Sequence, residues 1–547
     1  MARQIIFILL CLAFIATPAD AQEATVSEAL ALEIEELAAT GRLRIRGTEV
    51  ASAELLVEVY EQNRFELTWT RPEQIGELLE AIKATEADGL NPADYHVEEV
   101  QAGYQQLLSG VEITANERAD LDLLFTDSLI RLGYHERFGK LNPHTLDPQW
   151  NFRREKNEVE VTTAILAAID STSLLAHLQT QFPRGVFYQR LRKGLARYRQ
   201  IMANGGWPEF PDGPTLRPGE RDERVEKLVQ RLVATGDLPQ GELATTDSIY
   251  DESIEAGVRH FQMRHGLDVD GIIGPSTVRA LNIPVEHRVQ QLRINLERTR
   301  WVFDDVSDEY ILVNIAGFAA YVIRDGKVAW RTKVQVGKPF RKTPVFRDEM
   351  KYVVFNPTWT VPYSIATRDI LPSIQADPDY VATRNFDIKD RNGNLVDAKS
   401  IDWSKLSRGN FPYTLVQRPG PDNALGRVKF MFPNEHAVYL HDTPSKHLFG
   451  KAERAFSAGC IRVERPFDFA EVLMGRDGWT QERFKEVLDS GEIRTVFLSK
   501  PLPVLLLYWT AEVREDGVVY FYQDIYDRDQ SVADGLDAPF SLDRPAR

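Results

Sequence analysis

Cysteine is nearly missing from this chain: there are two in 547 residues, Cys11 and Cys460. So few exclude a disulfide framework and a Cys-rich metal cluster. The folded cores must rest on apolar burial, for which the length is ample. Cys-x-x-Cys and His-Glu-x-x-His are absent too, which removes the commonest zinc patterns. Long apolar runs are scarce, and past the first twenty residues none is long enough to cross a bilayer. A basic excess is also lacking. The 81 acidic and 65 basic side chains leave a formal charge of −16, which excludes nucleic acid as the main partner, because phosphate binding needs a basic surface.

What is present begins with a secretory pattern. Arg3 supplies a positive start, Ile5 to Ile15 an apolar stretch, and Ala19-Asp20-Ala21 a small-x-small cleavage site, so 1–21 is read as a signal peptide. Cys11 follows Leu10 inside the apolar stretch, which rejects a lipoprotein. The expectation is an exported chain, with anchoring by an uncleaved first segment as the alternative. Cys11 leaves with the signal, so Cys460 stands alone. A buried, inert thiol is one reading. A lone thiol in an oxidising compartment is a liability, which favours its being kept for chemistry.

The order of elements points to a multidomain α+β chain. Helical spacing fills 22–220: Val26, Leu30, Ile34 and Leu37, then Ile75, Leu78, Leu79 and Ile82 after Pro72, then Leu121, Leu124, Phe125 and Leu132, and Tyr188, Leu191, Leu195 and Tyr198. This reads as a helical scaffold ending in a Pro/Gly-rich linker. A compact unit over 221–284 follows, with three short helices, a stop at Gly236 and a turn at Asp270-Gly271. Tyr250, Val258, Phe261-Gln262, Gly266-Leu267, Asp270-Gly271, Gly274, Thr277 and Leu281-Asn282 resemble the three-helix peptidoglycan-binding domain. Residues 285–300 read as a connecting helix. From 301 to 525 strand patterns dominate, with a hairpin turn at Asp325-Gly326, and the domain is expected to be mainly antiparallel β. Within it 372–430 loses the β pattern and is read as a capping subdomain or lid, or a plain insertion. Residues 526–547 read as a C-terminal tail.

Chemistry concentrates in Val438 to Pro444 and Ser457 to Val463. Cys460 is the candidate nucleophile and His441 its general base and acid. Something must orient the histidine ring; strand neighbours point to opposite faces, so the backbone carbonyl of Asp442 is at least as good a candidate as its carboxylate. Ser457, Ala458 and Gly459 are small enough to let a substrate carbonyl approach the backbone, and the N–H groups of Gly459 and Cys460 are candidates for an oxyanion hole. Arg462 is placed to bind a carboxylate or steady the loop. His436, His441, His447 and Cys460 raise a zinc site, but one cysteine without a ligand motif does not support it, so neither metal nor cofactor is expected.

His441-Asp442-Thr443-Pro444 and Ser457-x-Gly459-Cys460-Ile461-Arg462 resemble the signature of L,D-transpeptidases with a YkuD-type catalytic domain. The layout resembles the large YcbB-like branch, and Thr343-Pro344, Asn356-Pro357 and Trp359 also fit. Ala458 departs from relatives that carry histidine there, a role that Tyr439 would take over. The resemblance implies substrate contacts at Trp359, Asn356, Ser457 and Ala458. It implies a Cys460 thioester with a diaminopimelate carbonyl, release of D-alanine and 3→3 cross-links. The implied partners are peptidoglycan stem peptides and glycan, carbapenem inhibitors and other cell-wall synthesis enzymes, in the periplasm. L,D-carboxypeptidase, lipoprotein attachment and a non-catalytic wall-binding scaffold are the competing readings.

Overall fold

The computed structural model describes residues 25–147, 150, 152, 158–181, 185–241, 248–302, 307–377 and 379–540. The signal peptide read over 1–21 lies outside them. Among the described residues no helix is long and apolar enough to cross a membrane.

The chain divides into two compact units. One holds the chain up to Leu79 with His96–Ile130 and Asn157–Leu175; the other holds Glu80–Tyr95, Arg131–Lys156 and everything from Ala176 on. In the first unit the helix Val26–Thr40 opens on a capping box between Thr25 and Glu28 and buries Leu30, Ile34 and Leu37, the stripe read from the sequence. A two-strand hairpin, β1 (Arg44–Ile45) with β2 (Thr48–Glu49), follows. Asp122 is fully buried, and its carboxylate accepts from Thr68 N and Trp69 N at 3.0 Å and from Tyr60 Oη at 2.7 Å, which offsets its desolvation. Ser52 N and His96 Nε2 both donate to buried Asp127. The Ser52 hydroxyl donates to the same carboxylate, so Asp127 ties the Ser52 and His96 segments to its helix.

In the second unit the three-helix segment forms as expected. Its helices are Val225–Thr235, stopped by left-handed Gly236, Glu252–Arg264 and Pro275–Leu281. Leu228, Leu232, Tyr250, Val258 and Phe261 form its core. The helix Val285–Arg300 is more than a connector. Leu292 and Leu296 pack against Tyr188, Leu191 and Leu195 of the helix Val186–Ala203 and against Val513, Val519 and Phe521. Val186–Ala203, the last helical stripe read in the scaffold, thus packs in this unit. Periodicity shows that Val186–Ala203 has an apolar face, but not that its partner lies a hundred residues on.

The strands of this unit are β3 (Glu309–Asn314), β4 (Ala319–Arg324), β5 (Lys327–Gly337), β6 (Phe346–Phe355), β7 (Trp359–Thr360), β8 (Phe386–Lys389), β9 (Thr414–Gln417), β10 (Val428–Met431), β11 (Leu440–His441), β12 (Ala455–Ser457), β13 (Ile461–Val463), β14 (Arg494–Leu507), β15 (Ala511–Val513) and β16 (Val519–Phe521). Nine of them form one sheet in the order β12-β5-β13-β11-β10-β6-β14-β3-β4, and an added β4–β5 pairing closes it on itself. Asp325 and Gly326, both at positive φ, make the expected β4–β5 turn. The sheet is mixed: β11–β13, β12–β5 and β14–β3 run parallel. Strand β11 is shorter than the expected Val438–His441, because the Asn434 amide binds both Val438 N and Val438 O.

The capping subdomain has its own sheet, β7-β9-β8, and its own core of Ile370, Ile374, Phe386, Ile388 and Leu415. It starts at Trp359 rather than 372, and β10 already belongs to the main sheet. The expected tail also differs over its described part. Asp529–Asp537 is a helix tied to Val285–Arg300 by Arg298–Asp529 at 2.5 Å and Arg293–Asp537 at 2.9 Å, and Tyr526 before it is buried.

Candidate active site

The site is a product of strand register. In the parallel β11–β13 pair His441 lies opposite Arg462. Side chains alternate along a strand, so Tyr439 shares the face of His441, and Cys460 that of Arg462. Antiparallel β10 places Lys429 opposite His441, and β5 places Gln335 opposite Arg462. One row across four strands therefore reads Gln335, Arg462, His441, Lys429, with Tyr439 and Cys460 in the row beside it. Composition and motif reading missed Lys429 and Gln335. The alternation Val428-Lys429-Phe430, buried, half-buried, buried, was the signal for the first.

Cys460 is half-buried. Its Sγ lies 3.7 Å from Ala437 O. Burial pushes the thiol pKa up, while the backbone N–H and hydroxyl of Tyr439 and the charges of Lys429 and Arg462 pull it down. The Tyr439 hydroxyl pKa is raised by burial and by the facing sulfur, with Trp359 lowering it in part, so it stays protonated. Lys429 Nζ sits 4.0 Å from the Tyr439 ring centre. Burial lowers the Lys429 pKa and the Cys460 sulfur raises it. These contacts offset burial only in part: the thiol pKa stands raised, and Lys429 and Arg462 form the cationic side of the seat a thiolate would take.

His441 is buried, and its Nδ1–H donates to Asp442 O at 2.5 Å. Burial and the Arg462 charge push its pKa down to about 3, against the Asp442 carbonyl, with Lys429 lowering it further. The ring is therefore neutral at ordinary pH, the form a base needs. Its plane lies 5.7 Å, centre to centre, from the Tyr439 ring, and no hydrogen bond joins it to the thiol among the described residues. The Asp442 carboxylate is occupied elsewhere, by Arg427 N at 2.9 Å and by Lys446 Nζ.

The small-residue loop is held from both sides. Ser457 is buried and donates to Cys460 O at 2.6 Å, while Gly459 N donates to Ser457 Oγ at 3.0 Å. This corrects the oxyanion assignment of Gly459, whose N–H is already taken. Gly459 is instead needed for its φ of +123°, which favours glycine. Its carbonyl accepts from Thr343 Oγ1 at 2.8 Å, and Thr343 Oγ1 accepts from Gly337 N at 2.9 Å. Tyr526 completes the brace: its hydroxyl accepts from Thr343 N at 3.0 Å and donates to Gly337 O at 2.6 Å. Ala458 is exposed at the mouth. Arg462 donates to Gln335 Oε1 at 3.2 Å.

Asn356 is the clearest correction. It is buried at positive φ, its Nδ2 donates to the Val487 and Glu492 carbonyls, and its Oδ1 accepts from Arg427. It closes the end of β6 onto a following helix and makes no contact with the thiol or the histidine. Trp359, three residues on, does reach the site. Among the described residues no group of three His, Cys, Asp or Glu side chains could hold a metal ion.

The comparisons with known proteins fit this geometry. Residues 308–481 match the family model YkuD, an L,D-transpeptidase catalytic domain. Residues 54–195 match a scaffold domain and 221–281 a "Putative peptidoglycan binding domain". The chain is 39% identical over 243 residues to a protein of Haemophilus influenzae named "Putative L,D-transpeptidase", covering 44% of this chain and 49% of that one. It is 38% identical over 80 residues to the N-acetylmuramoyl-L-alanine amidase CwlM of Mycobacterium tuberculosis, covering 14% and 20%. The chain thus spans about half the length of the first relative and a fifth of the second. A solved L,D-transpeptidase from Xylanimonas cellulosilytica aligns at 15% identity with a TM-score of 0.17, over 54% of this chain and 98% of that one. Over 308–481 the chain is thus similar to L,D-transpeptidase catalytic domains, and over 221–281 to putative peptidoglycan-binding domains.

Proposed function

We propose that the protein is an exported peptidoglycan L,D-transpeptidase that works through a Cys460 thioester and forms 3→3 cross-links. The observation that carries this reading is the register that gathers Cys460, Tyr439, His441, Lys429 and Arg462 on one sheet face inside the matched domain. The thiolate attacks the carbonyl of diaminopimelate in a tetrapeptide stem. His441 takes the thiol proton, through a hydrogen bond that tightens when substrate fills the site, and gives it to the departing D-alanine amine. The amine of a second stem's diaminopimelate, deprotonated by His441, then attacks the thioester and restores the thiol. With Gly459 N–H spent on Ser457, oxyanion stabilisation falls to the Cys460 N–H, the Tyr439 hydroxyl and the Lys429 charge.

Carbapenems, which acylate nucleophiles of this class, are expected to acylate Cys460. The export pattern at the N-terminus supports a periplasmic location. The test is purified protein with disaccharide-tetrapeptide, products read by mass. A dimer lacking one D-alanine supports the reading, while tripeptide alone replaces transfer by hydrolysis. Cys460→Ala is expected to abolish both product and carbapenem adduct, and an adduct retained in that variant would overturn the assignment of the nucleophile.

A further inference from the structure

A cleft of about 720 Å³ opens between the three-helix segment, the helix Val285–Arg300 and the C-terminal residues 521–533, away from Cys460. Buried beneath its cationic wall are three guanidiniums, Arg231, Arg264 and Arg288, all at most 5% exposed. Asp237 answers one of them: its carboxylate is spent on Arg264 and on His260. Arg231 is held by Leu281 O, Thr235 Oγ1 and the Trp207 ring, none of them charged. Arg288 lines the cleft. It donates from Nη1 to Gln291 Oε1 at 2.9 Å and lies over the Phe521 ring, and its Nε is buried without a hydrogen-bond partner.

A buried cation without a counter-ion is costly, and the cost is lifted when an anion arrives. Burial pushes the Arg288 pKa down to about 9, with Tyr198 opposing it and Arg264 adding to it, and no carboxylate among the causes. Gln291 fixes the geometry, since its Nε2 donates to Thr510 O at 2.8 Å and Tyr522 O at 3.0 Å. Exposed Arg279 adds a second cation at the rim. Across the cleft the Asp524 and Asp529 carboxylates are committed to Tyr508 Oη and Arg298. Asp527 is exposed on that side.

We propose that this cleft is a second peptide site, taking the zwitterionic amino-acid head group of a diaminopimelate stem, carboxylate to Arg288 and Arg279 and ammonium to Asp527. The proposal rests on the peptidoglycan reading for the identity of the ligand, and on the unanswered guanidinium for its chemistry. A site at the junction of the three-helix segment and the catalytic domain would hold one stem of the polymer while another enters the thiol site, raising the local concentration of stems there.

The experiment uses the full chain with Cys460 alkylated, titrated calorimetrically with free L-alanyl-γ-D-glutamyl-meso-diaminopimelate. Its lysine counterpart keeps the side-chain ammonium and lacks the carboxylate. The expected result is binding of the first peptide, weakened at least tenfold in Arg288→Met and in the lysine peptide, and severalfold in Asp527→Asn. Arg288→Met removes an unpaired buried charge, so its unfolding midpoint should not fall below that of the wild type. Asp527→Asn alters an exposed residue at positive φ that asparagine tolerates, so it serves if the first variant fails to fold. Equal affinity of wild type and both variants, or of both peptides, overturns the proposal. A chain that cross-links with neither variant affecting peptide binding keeps the proposed function and loses this site. One that binds through Arg288 but never cross-links does the reverse.

Discussion

Thr343 touches neither substrate nor thiol, yet Thr343→Val should disable the enzyme. The side chain is fully buried, and its one hydroxyl accepts from Gly337 N and donates to Gly459 O. Valine keeps the shape and removes both bonds. Two buried backbone groups are left unmet, each costing about 1–3 kcal/mol, so the loss should be about 2–6 kcal/mol. Thr343 N still donates to Tyr526 Oη, which limits the collapse to the Gly459 side. The Gly459–Cys460 segment then loses its tether, and a displacement of about 1 Å at the nucleophile costs on the order of a hundredfold in rate. The assay pairs a urea titration with the rate of Cys460 acylation by a carbapenem, followed by intact mass. Tyr526→Phe breaks the other half of the brace, and the double variant should cost less than the sum of the singles, because both act on one network. A folded Thr343→Val protein with wild-type stability and acylation rate would refute the reasoning.

Protonation of His441 gives a second prediction. In the folded chain it takes a proton only near pH 3; in an unfolded chain it does so near 6.5. The unfolded state thus gains the extra proton first, and stability falls from about pH 6.5 down towards 3, by up to about 5 kcal/mol. Denaturant titrations across that range should show the slope, and His441→Asn should flatten it; an unchanged slope would place the titration elsewhere. Lys429→Met removes a cation facing the thiol, so alkylation by iodoacetamide at pH 8 should slow about 3- to 10-fold, and an unaltered rate would remove Lys429 from the thiolate seat. Gly459→Ala has room for its methyl group but not for its φ, so it should destabilise by about 1–3 kcal/mol and slow acylation; wild-type unfolding would show the loop to be unstrained.

Much of the site was legible because its residues cluster in the chain. Tyr439, His441, Cys460 and Arg462 fall in two short segments, and two-residue alternation already puts each pair on one face. Lys429, Gln335, Thr343 and Tyr526 were not legible as a group, since what joins them is the pairing of strands up to two hundred residues apart. The Gly459 error had a readable cause. A serine two residues before a glycine competes for its N–H through a local turn, and Ser457 does this. The packing of Val186–Ala203 was hidden for another reason. An apolar helical face states that it needs a partner and does not state which one, and Val186–Ala203 found its partner in Val285–Arg300.

Asn356 and Trp359 show where motif resemblance stops being informative about roles. Both fit the same stretch of the family pattern, three positions apart. Asn356 ends β6 at positive φ and spends its amide on backbone carbonyls near 487–492. Trp359 begins the capping sheet, and it lowers the pKa of the Tyr439 hydroxyl against the larger effect of burial. Tyr439 in turn lowers the Cys460 thiol pKa, against the larger effect of burial. A substitution of Trp359 is therefore expected to alter the reactivity of the thiol through Tyr439 without touching the sulfur.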